Sequence, residues 1–317
     1  MQPTPHDPES INTVRTRIIM WCFITVLLIA APWLALRGRY GSTIFVSIPL
    51  SVGMLSALIA SLKKKRNVGS LIAFSLIPAL VTLIIFFLVA GEGFICLLMA
   101  TPLLIIPLFI GAAIGYAIQN HYWSKYVGMV LIFFLNTAAY VKDAADPEFD
   151  VITIRDEIVI DAPPAKVWEQ LSHRFEFGSA GNFFLSNGVS FPTSMELQSA
   201  NGCNSLYCVY NNGVMTASVD SLVPERLLYF TFHEPPVSMK ETSLYHDVEP
   251  HHIRGRILID YGSFSLVPRS DGKTVLIATT QLRNNIGPHF YWRWWSSYLM
   301  NQTHRHVLEK IKARAEE

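Results

Sequence analysis

Ile158-Val159-Ile160-Asp161-Ala162-Pro163-Pro164-Ala165-Lys166-Val167-Trp168 marks the point where this chain commits to a water-soluble fold. The run before it, Val151 to Ile160, alternates apolar and polar residues as a half-buried strand does. Asp161-Ala162-Pro163-Pro164 stops that strand and supplies a cap and first turn for a helix. The helix expected over Lys166–Leu171 is short, with Val167, Trp168 and Leu171 on one face.

Upstream, the character of the chain changes at about residue 146. Five stretches approach the roughly 20 apolar residues that a bilayer-crossing helix requires: Ile18–Leu36, Thr43–Leu62, Ser70–Ala90, Phe94–Ile118 and Tyr126–Val141. The fourth contains Pro102 and Pro107, which membrane helices tolerate where neighbours cover the freed backbone groups. The first ends without a small-residue cleavage site and reads as a retained span. The expected order is a tail over 1–17, a transmembrane region over 18–141, a polar linker over 142–150 and a soluble domain over 151–317.

Charge divides along the same line. Residues 1–146 hold ten Lys/Arg and five Asp/Glu, and residues 147–317 hold fifteen and nineteen. The basic excess lies in short loops, where it sets membrane orientation. With the N-terminus inside, the inner segments carry Arg15, Arg17, Lys63, Lys64, Lys65, Arg66 and Lys125, and the outer ones Arg37, Arg39 and Lys142. Five spans then put the soluble domain outside the cytoplasm, and four leave it inside. Glu92, in Gly91-Glu92-Gly93, is either a headgroup-level turn or an ion site. The second half has no basic patch with interleaved aromatics, so nucleic acid is not an expected partner.

Downstream of the opening motif the pattern is β-rich. Strands are expected over Ser194–Ala200 and Ser205–Tyr210 around Asn201-Gly202, then over Val214–Val223, Leu227–His233, Ser243–Val248, Arg254–Val267 and Thr274–Arg283. Pro288 to Ala315 reads as one long helix. Tyr291, Trp294, Trp295, Tyr298, Leu299, Val307, Leu308 and Ile311 fall on it at helical spacing. The fold class is therefore an all-α multi-pass membrane region followed by an α+β domain, a curved antiparallel sheet around a long C-terminal helix. The space between sheet and helix either holds a ligand or is filled by the aromatic stripe.

The opening Asp-Ala-Pro-Pro-Ala-Lys-Val-Trp, the segment Gly262-Ser263-Phe264-Ser265-Leu266, the turn Asp271-Gly272-Lys273-Thr274 and the closing helix together resemble the START-like, polyketide cyclase/dehydrase superfamily. Met239 to Ser243, Pro250 to Ile253, Tyr291-Trp292 and His306 to Lys312 are similar to a membrane-anchored bacterial subgroup of it. The resemblance covers about residues 151–315. It implies a helix-grip fold, a hydrophobic cavity that takes lipids, steroids or polyketide-like molecules, and a bacterial cytoplasmic membrane. It implies no single reaction.

Trp168, Phe230, Phe232, Tyr291, Trp295 and Tyr298 are the candidate cavity lining, with Arg254 or Glu241 as an anchor for a polar head. His252 and Glu241 are the acid/base candidates if the domain is a cyclase or dehydratase. His246, His251 and His252 cluster with Glu241, Asp247 and Glu249, but the compact zinc spacings are absent. No nucleophile elbow, phosphate loop or kinase signature is present, and no cofactor is expected. Of His304 and His306, two apart on a helix and so on different faces, His306 is expected to face inward. The expected partners are a membrane and a hydrophobic small molecule. A non-catalytic interaction module is the further alternative.

Overall fold

A computed structural model describes the chain except for residues 1–7, 38, 63–65, 90–92, 119–121, 146–148, 201–202, 233–238 and 241–254. It divides into two compact units, residues 1–147 and 148–317.

The first unit is helical. α1 spans Pro8–Leu36, a π-helical turn over Thr43–Ser47 runs into α2 (Ile48–Ala60), and α3 (Val68–Val89), α4 (Phe94–Ile118) and α5 (Tyr122–Ala145) follow. Five helices are long and apolar enough to cross a membrane, over Thr13–Leu36, Thr43–Ala60, Val68–Leu88, Phe94–Ile118 and Val127–Ala145. Many of their apolar side chains point outward, among them Ile77, Leu80 and Ile84 on α3 and Leu131, Phe133 and Phe134 on α5. That is the inverse of a water-soluble bundle.

Where helices have no hydrophobic effect to press them together, close packing needs small residues. α2 and α4 meet at Gly53 and Gly111. A Cβ on Gly53 would strike the Leu108 carbonyl oxygen, and one on Gly111 the Leu50 carbonyl oxygen. Polar groups join α2 and the π turn before it to α5. Asn136 donates to Ser51 Oγ (2.7 Å) and accepts from Ser47 Oγ (3.0 Å). The Asp143 carboxylate accepts from the Ser42 and Thr43 backbone N–H groups (2.9 and 2.7 Å) and from Thr43 Oγ1 (2.6 Å), capping the start of the π turn. Lys142–Ala145, expected as linker, are thus the last turn of α5. No helix breaker precedes Pro147, and Asp143 has partners that reward the helical turn.

The second unit contains β1 (Asp150–Ile160), α6 (Pro164–Ser172), β2 (Phe175–Glu176), α7 (Phe183–Ser186), β3 (Pro192–Ala200), β4 (Cys203–Tyr210), β5 (Gly213–Val223), β6 (Leu227–Phe232), β7 (Ile257–Pro268), β8 (Thr274–Asn284) and α8 (His289–Ala315). The strands form one antiparallel sheet in the order β1-β8-β7-β6-β5-β4-β3-β2. It curls around α8, which is the helix-grip architecture. Bulges between Val219 and Ser221 and between Ile259 and Tyr261 help bend it.

The core lies between sheet and helix. Val307, Leu308, Ile311 and Ala315 of α8 are buried against Ile160, Leu228 and Leu276, with Val167 and Leu171 of α6 beside them. Trp168, on the same face, is only partly buried against that cluster. On β1 and β8 the even-numbered residues face inward, as the burial of Ile152, Ile154, Ile160, Leu276, Ala278, Thr280 and Leu282 shows.

At the start of β1, Arg293 of α8 grips Asp150, with Nε to Oδ2 at 2.8 Å. The Arg293 hydrogen bond holds the Asp150 carboxyl below the usual carboxylate range, more than burial raises it. A depressed folded value means the stabilisation is present above the unfolded carboxyl's pKa of about 3.9 and is lost as pH falls through the folded one. Asp150→Asn is therefore expected to lower the melting temperature at pH 6, with the gap to wild type closing as the pH drops well below 4. A gap that is constant with pH would remove this linkage.

Candidate ligand-binding site

Between the sheet and the middle of α8 the packing stops short of filling the space, leaving a cavity of about 170 Å³. The residues that leave it are small ones on facing elements: Ser263 on β7, Ala278 and Thr280 on β8, and Ser296 and Thr303 on α8. Larger apolar groups close the rest of the wall, including Met195, Leu206, Phe230, Phe232, Ile259 and Leu282. Gly262 contributes indirectly. It pairs with Phe230 across β6 and β7, and a Cβ there would come within 2.5 Å of the Phe230 ring, so the glycine lets that ring lie against the sheet. Cys208 and Tyr210 of β4 also line the cavity. Burial pushes the Cys208 thiol up to about 12 and the Tyr210 phenol well above its ordinary value, so both are neutral wall.

The face that α8 turns to the cavity is Ser296, Leu299, Met300, Thr303, His304 and Val307, spaced for one side of a helix. The aromatic residues of the stripe lie beside that face. Trp295 and Tyr298 pack edge-on against Phe184 of α7, at 5.4 and 5.7 Å between ring centroids, and Trp294 stacks on Tyr298. The indole Nε1 of Trp295 is buried with no hydrogen-bond partner among the described residues. Tyr291 packs edge-on to Trp292. Of the candidate lining, Phe230 and Phe232 are on the cavity wall, whereas Trp168, Tyr291, Trp295 and Tyr298 are not among its lining residues.

Glu241, His252 and Arg254 lie outside the described residues, as do His246, Asp247, Glu249, His251, Glu92 and the strand expected over Ser243–Val248. Among the described residues no group of three or more His, Cys, Asp or Glu could hold a metal ion.

Two polar residues of the wall, Thr280 and His304, are buried and linked to each other and to Asp156 of β1, whose side chain is 30% exposed. Thr280 Oγ1 lies 2.8 Å from His304 Nε2, and His304 Nδ1 lies 2.7 Å from Asp156 Oδ2. His304 is 6% exposed and Thr280 9%. A carboxylate only accepts, so Nδ1 carries a proton. In the neutral imidazole Nε2 then accepts from the Thr280 hydroxyl. Asn301 completes the set: with its amide turned as its neighbours require, it donates to Asp156 Oδ2 (3.1 Å) and to the Ser297 carbonyl (3.2 Å).

His304 thus faces the cavity, and the expectation for His306 is corrected. His306 packs beside Phe177 and Phe191, at 6.4 and 5.3 Å between ring centroids, and burial holds its imidazole below the usual range. One helical step separates the two outcomes: His304 follows Met300 and Thr303 on the cavity side. The signal that leads to this trio is in β1. Ile152, Ile154, Ile158 and Ile160 share one phase of the alternation, and Asp156 has the same phase. A carboxylate on the inward side of a strand requires a buried partner.

A curled antiparallel sheet gripping a helix, with an apolar cavity between them, gives the second unit a helix-grip architecture. The chain joins that domain to helices of membrane-spanning length. No family model and no curated protein sequence matches the chain. Solved structures similar to it include a protein from Nitrosospira multiformis (16% identity, 51% of this chain and 94% of that one, TM-score 0.33). A START superfamily protein from Mycobacterium smegmatis is 12% identical over 52% of this chain and 97% of that one, with a TM-score of 0.32. A truncated norcoclaurine synthase from Thalictrum flavum is 12% identical over 52% and 95%, with a TM-score of 0.30.

Proposed function

We propose that the helix-grip domain binds a hydrophobic small molecule in the cavity between sheet and α8, and that the five apolar helices keep it at a bilayer, the source or destination of that molecule. The observation that carries this reading is the cavity itself. A space of about 170 Å³ lined mostly by apolar side chains is left unfilled in a domain whose remaining core is closely packed. Apolar voids of about 150 Å³ stay dry and take up benzene, while pockets for drug-sized ligands run from about 300 to 1,000 Å³. The part of the ligand that enters is therefore one ring or one slim chain. Burying about 150 Å² of it at about 25 cal/mol per Å² is worth about 4 kcal/mol, in the millimolar range for that part alone. The rest of a lipid-like molecule would add to this.

The basic inner loops favour an N-terminus on the cytoplasmic side. If all five helices cross, the domain lies on the opposite side of a bacterial cytoplasmic membrane. The acid/base alternative, with His252 and Glu241, rests on residues outside those described and has no supporting geometry.

The test is extraction and mass spectrometry of small molecules from the full chain in nanodiscs, alongside Thr303→Phe. Phenylalanine at Thr303 projects into the cavity from α8. Wild type is expected to release a stoichiometric apolar molecule that is depleted at least tenfold from the variant, with the variant's melting temperature equal or higher. Bulk lipid is common to both samples and cancels. Identical extracts from the two proteins would count against a ligand in the cavity.

A further inference from the structure

We infer that Asp156, His304 and Thr280 form a subsite that selects a hydroxyl group on an otherwise apolar ligand, aliphatic alcohol or phenol. The inference rests on the cavity being a ligand site and adds the chemistry of what it prefers.

The three residues come from three elements, β1, α8 and β8, and all point to one place. His304 is buried while the Asp156 side chain is 30% exposed, and a buried imidazole is costly in an apolar core unless both ring nitrogens have partners, which Asp156 and Thr280 supply. Here the Asp156 carboxylate takes the Nδ1 proton and thereby fixes the imidazole ring. The ring in turn fixes the Thr280 hydroxyl, with its hydrogen directed at Nε2. What Thr280 then offers the cavity is its oxygen, as an acceptor in a fixed position.

Other hydroxyls along the wall are occupied differently. Ser190 Oγ donates to Asn212 Oδ1 (2.6 Å), Thr303 Oγ1 to the Leu299 carbonyl of its own helix (3.1 Å), and Ser296 Oγ accepts from Asn284 Nδ2 (3.0 Å). Thr280 is the one held by a carboxylate-anchored imidazole. A ligand group that donates to Thr280 Oγ1 polarises the chain in one direction, from ligand hydroxyl through threonine and histidine to aspartate, and such chains strengthen one another. A hydroxyl also remains a partner if the imidazole is protonated, because Nε2–H then donates to Thr280 and the threonine hydrogen is free to turn to the ligand oxygen. A methyl group offers neither arrangement, and a carbonyl only the second.

Phenol and toluene differ by a hydroxyl for a methyl and match the size of the space. The experiment titrates each into the full chain in nanodiscs carrying 13C-methyl methionine, reading the shifts of Met195, Met239 and Met300, which line the cavity. The quantity compared is the ratio of toluene to phenol dissociation constants in wild type against the same ratio in Thr280→Val, so that partitioning of the probes into lipid cancels. The expected result is a ratio about tenfold higher in wild type, with toluene binding unchanged or tighter in the variant and with Thr280→Ser restoring the wild-type ratio. Equal ratios in wild type and Thr280→Val, with toluene bound by both, would overturn the hydroxyl subsite and leave the cavity as a binding site. Absence of methionine shifts with either probe in wild type would overturn both. Should valine not be tolerated, as loss of the folded-domain spectrum would reveal, Thr280→Ala takes its place with the same two outcomes.

Discussion

Gly111→Leu is expected to abolish the folded helical unit. At Gly111 the obstacle is the Leu50 carbonyl oxygen of α2, a backbone atom that no side-chain rotation can move aside. Gly53 makes the reciprocal approach to Leu108 of α4, and a Cβ on Gly115 would come within 2.8 Å of the Met54 carbonyl oxygen, so the two helices meet backbone to backbone at three glycines. Overpacking a well-filled core costs about 1–3 kcal/mol where side chains can yield. Here the helices themselves must separate, and the contacts between α2 and α4 are lost with them. The chain should fail to elute as a single species in mild detergent, or should lose well over 10 °C in melting temperature. Gly69→Leu is the control, because a Cβ at Gly69 meets nothing within 4 Å. A Gly111→Leu protein that elutes and melts as wild type would show that α2 and α4 do not pack at these glycines.

The second large effect lies in α8. Ile311 is fully buried in the core of the helix-grip domain, and Lys310, its neighbour, is exposed. Ile311→Asp removes an apolar side chain worth roughly 2–5 kcal/mol and puts a carboxylate, several kcal/mol more, into a cluster of buried apolar side chains. A domain holds only about 5–15 kcal/mol in reserve, so the variant should be unfolded or nearly so. Limited trypsin digestion would then remove residues 148–317 while the helical unit in detergent survives. Lys310→Asp, one position away, should digest as wild type. A protease-resistant Ile311→Asp would mean that the helix does not present Ile311 to the sheet.

The architecture was legible because its signals are local. The strand before Asp161-Ala162-Pro163-Pro164 ends at Ile160, and the helix begins at Pro164. The expected strand over Thr274–Arg283 is found over Thr274–Asn284, and the closing helix runs from His289 to Ala315. Apolar runs, prolines and turn glycines report each of these through neighbouring residues alone. The cavity was less legible, because a void is a property of pairs of surfaces. It depends on small residues of β7 and β8 meeting small residues of α8, and size contributes nothing to a hydrophobic pattern.

The aromatic residues misled for the same reason. Tyr291, Trp295 and Tyr298 have the right spacing for one face of α8, but the cavity face is the adjacent strip that contains Ser296, Met300 and Thr303. The strip that packs on Phe184 is richer in aromatic surface, and hydrophobic weight alone selects it. Asp156 could have corrected the choice. Its phase among the isoleucines of β1 marks an inward carboxylate, and a histidine on the facing helix is its natural partner.

The pairing of β1 with β8 has a consequence for how the protein is made. β1 is the first strand of its sheet to be synthesised and β8 the last, and β1 has no other neighbour in the sheet. Ile160 waits for Thr274, and Asp150 for Asn284. During translation the apolar face of β1 therefore leaves the ribosome long before its partner exists, just after the five apolar helices. Closing so long a loop is slow and comes late in folding. Asp156 is held apart from His304 for the same interval, so the polar trio in the cavity forms only when the whole sheet has closed. An unpaired strand of this kind is an aggregation hazard until synthesis is complete.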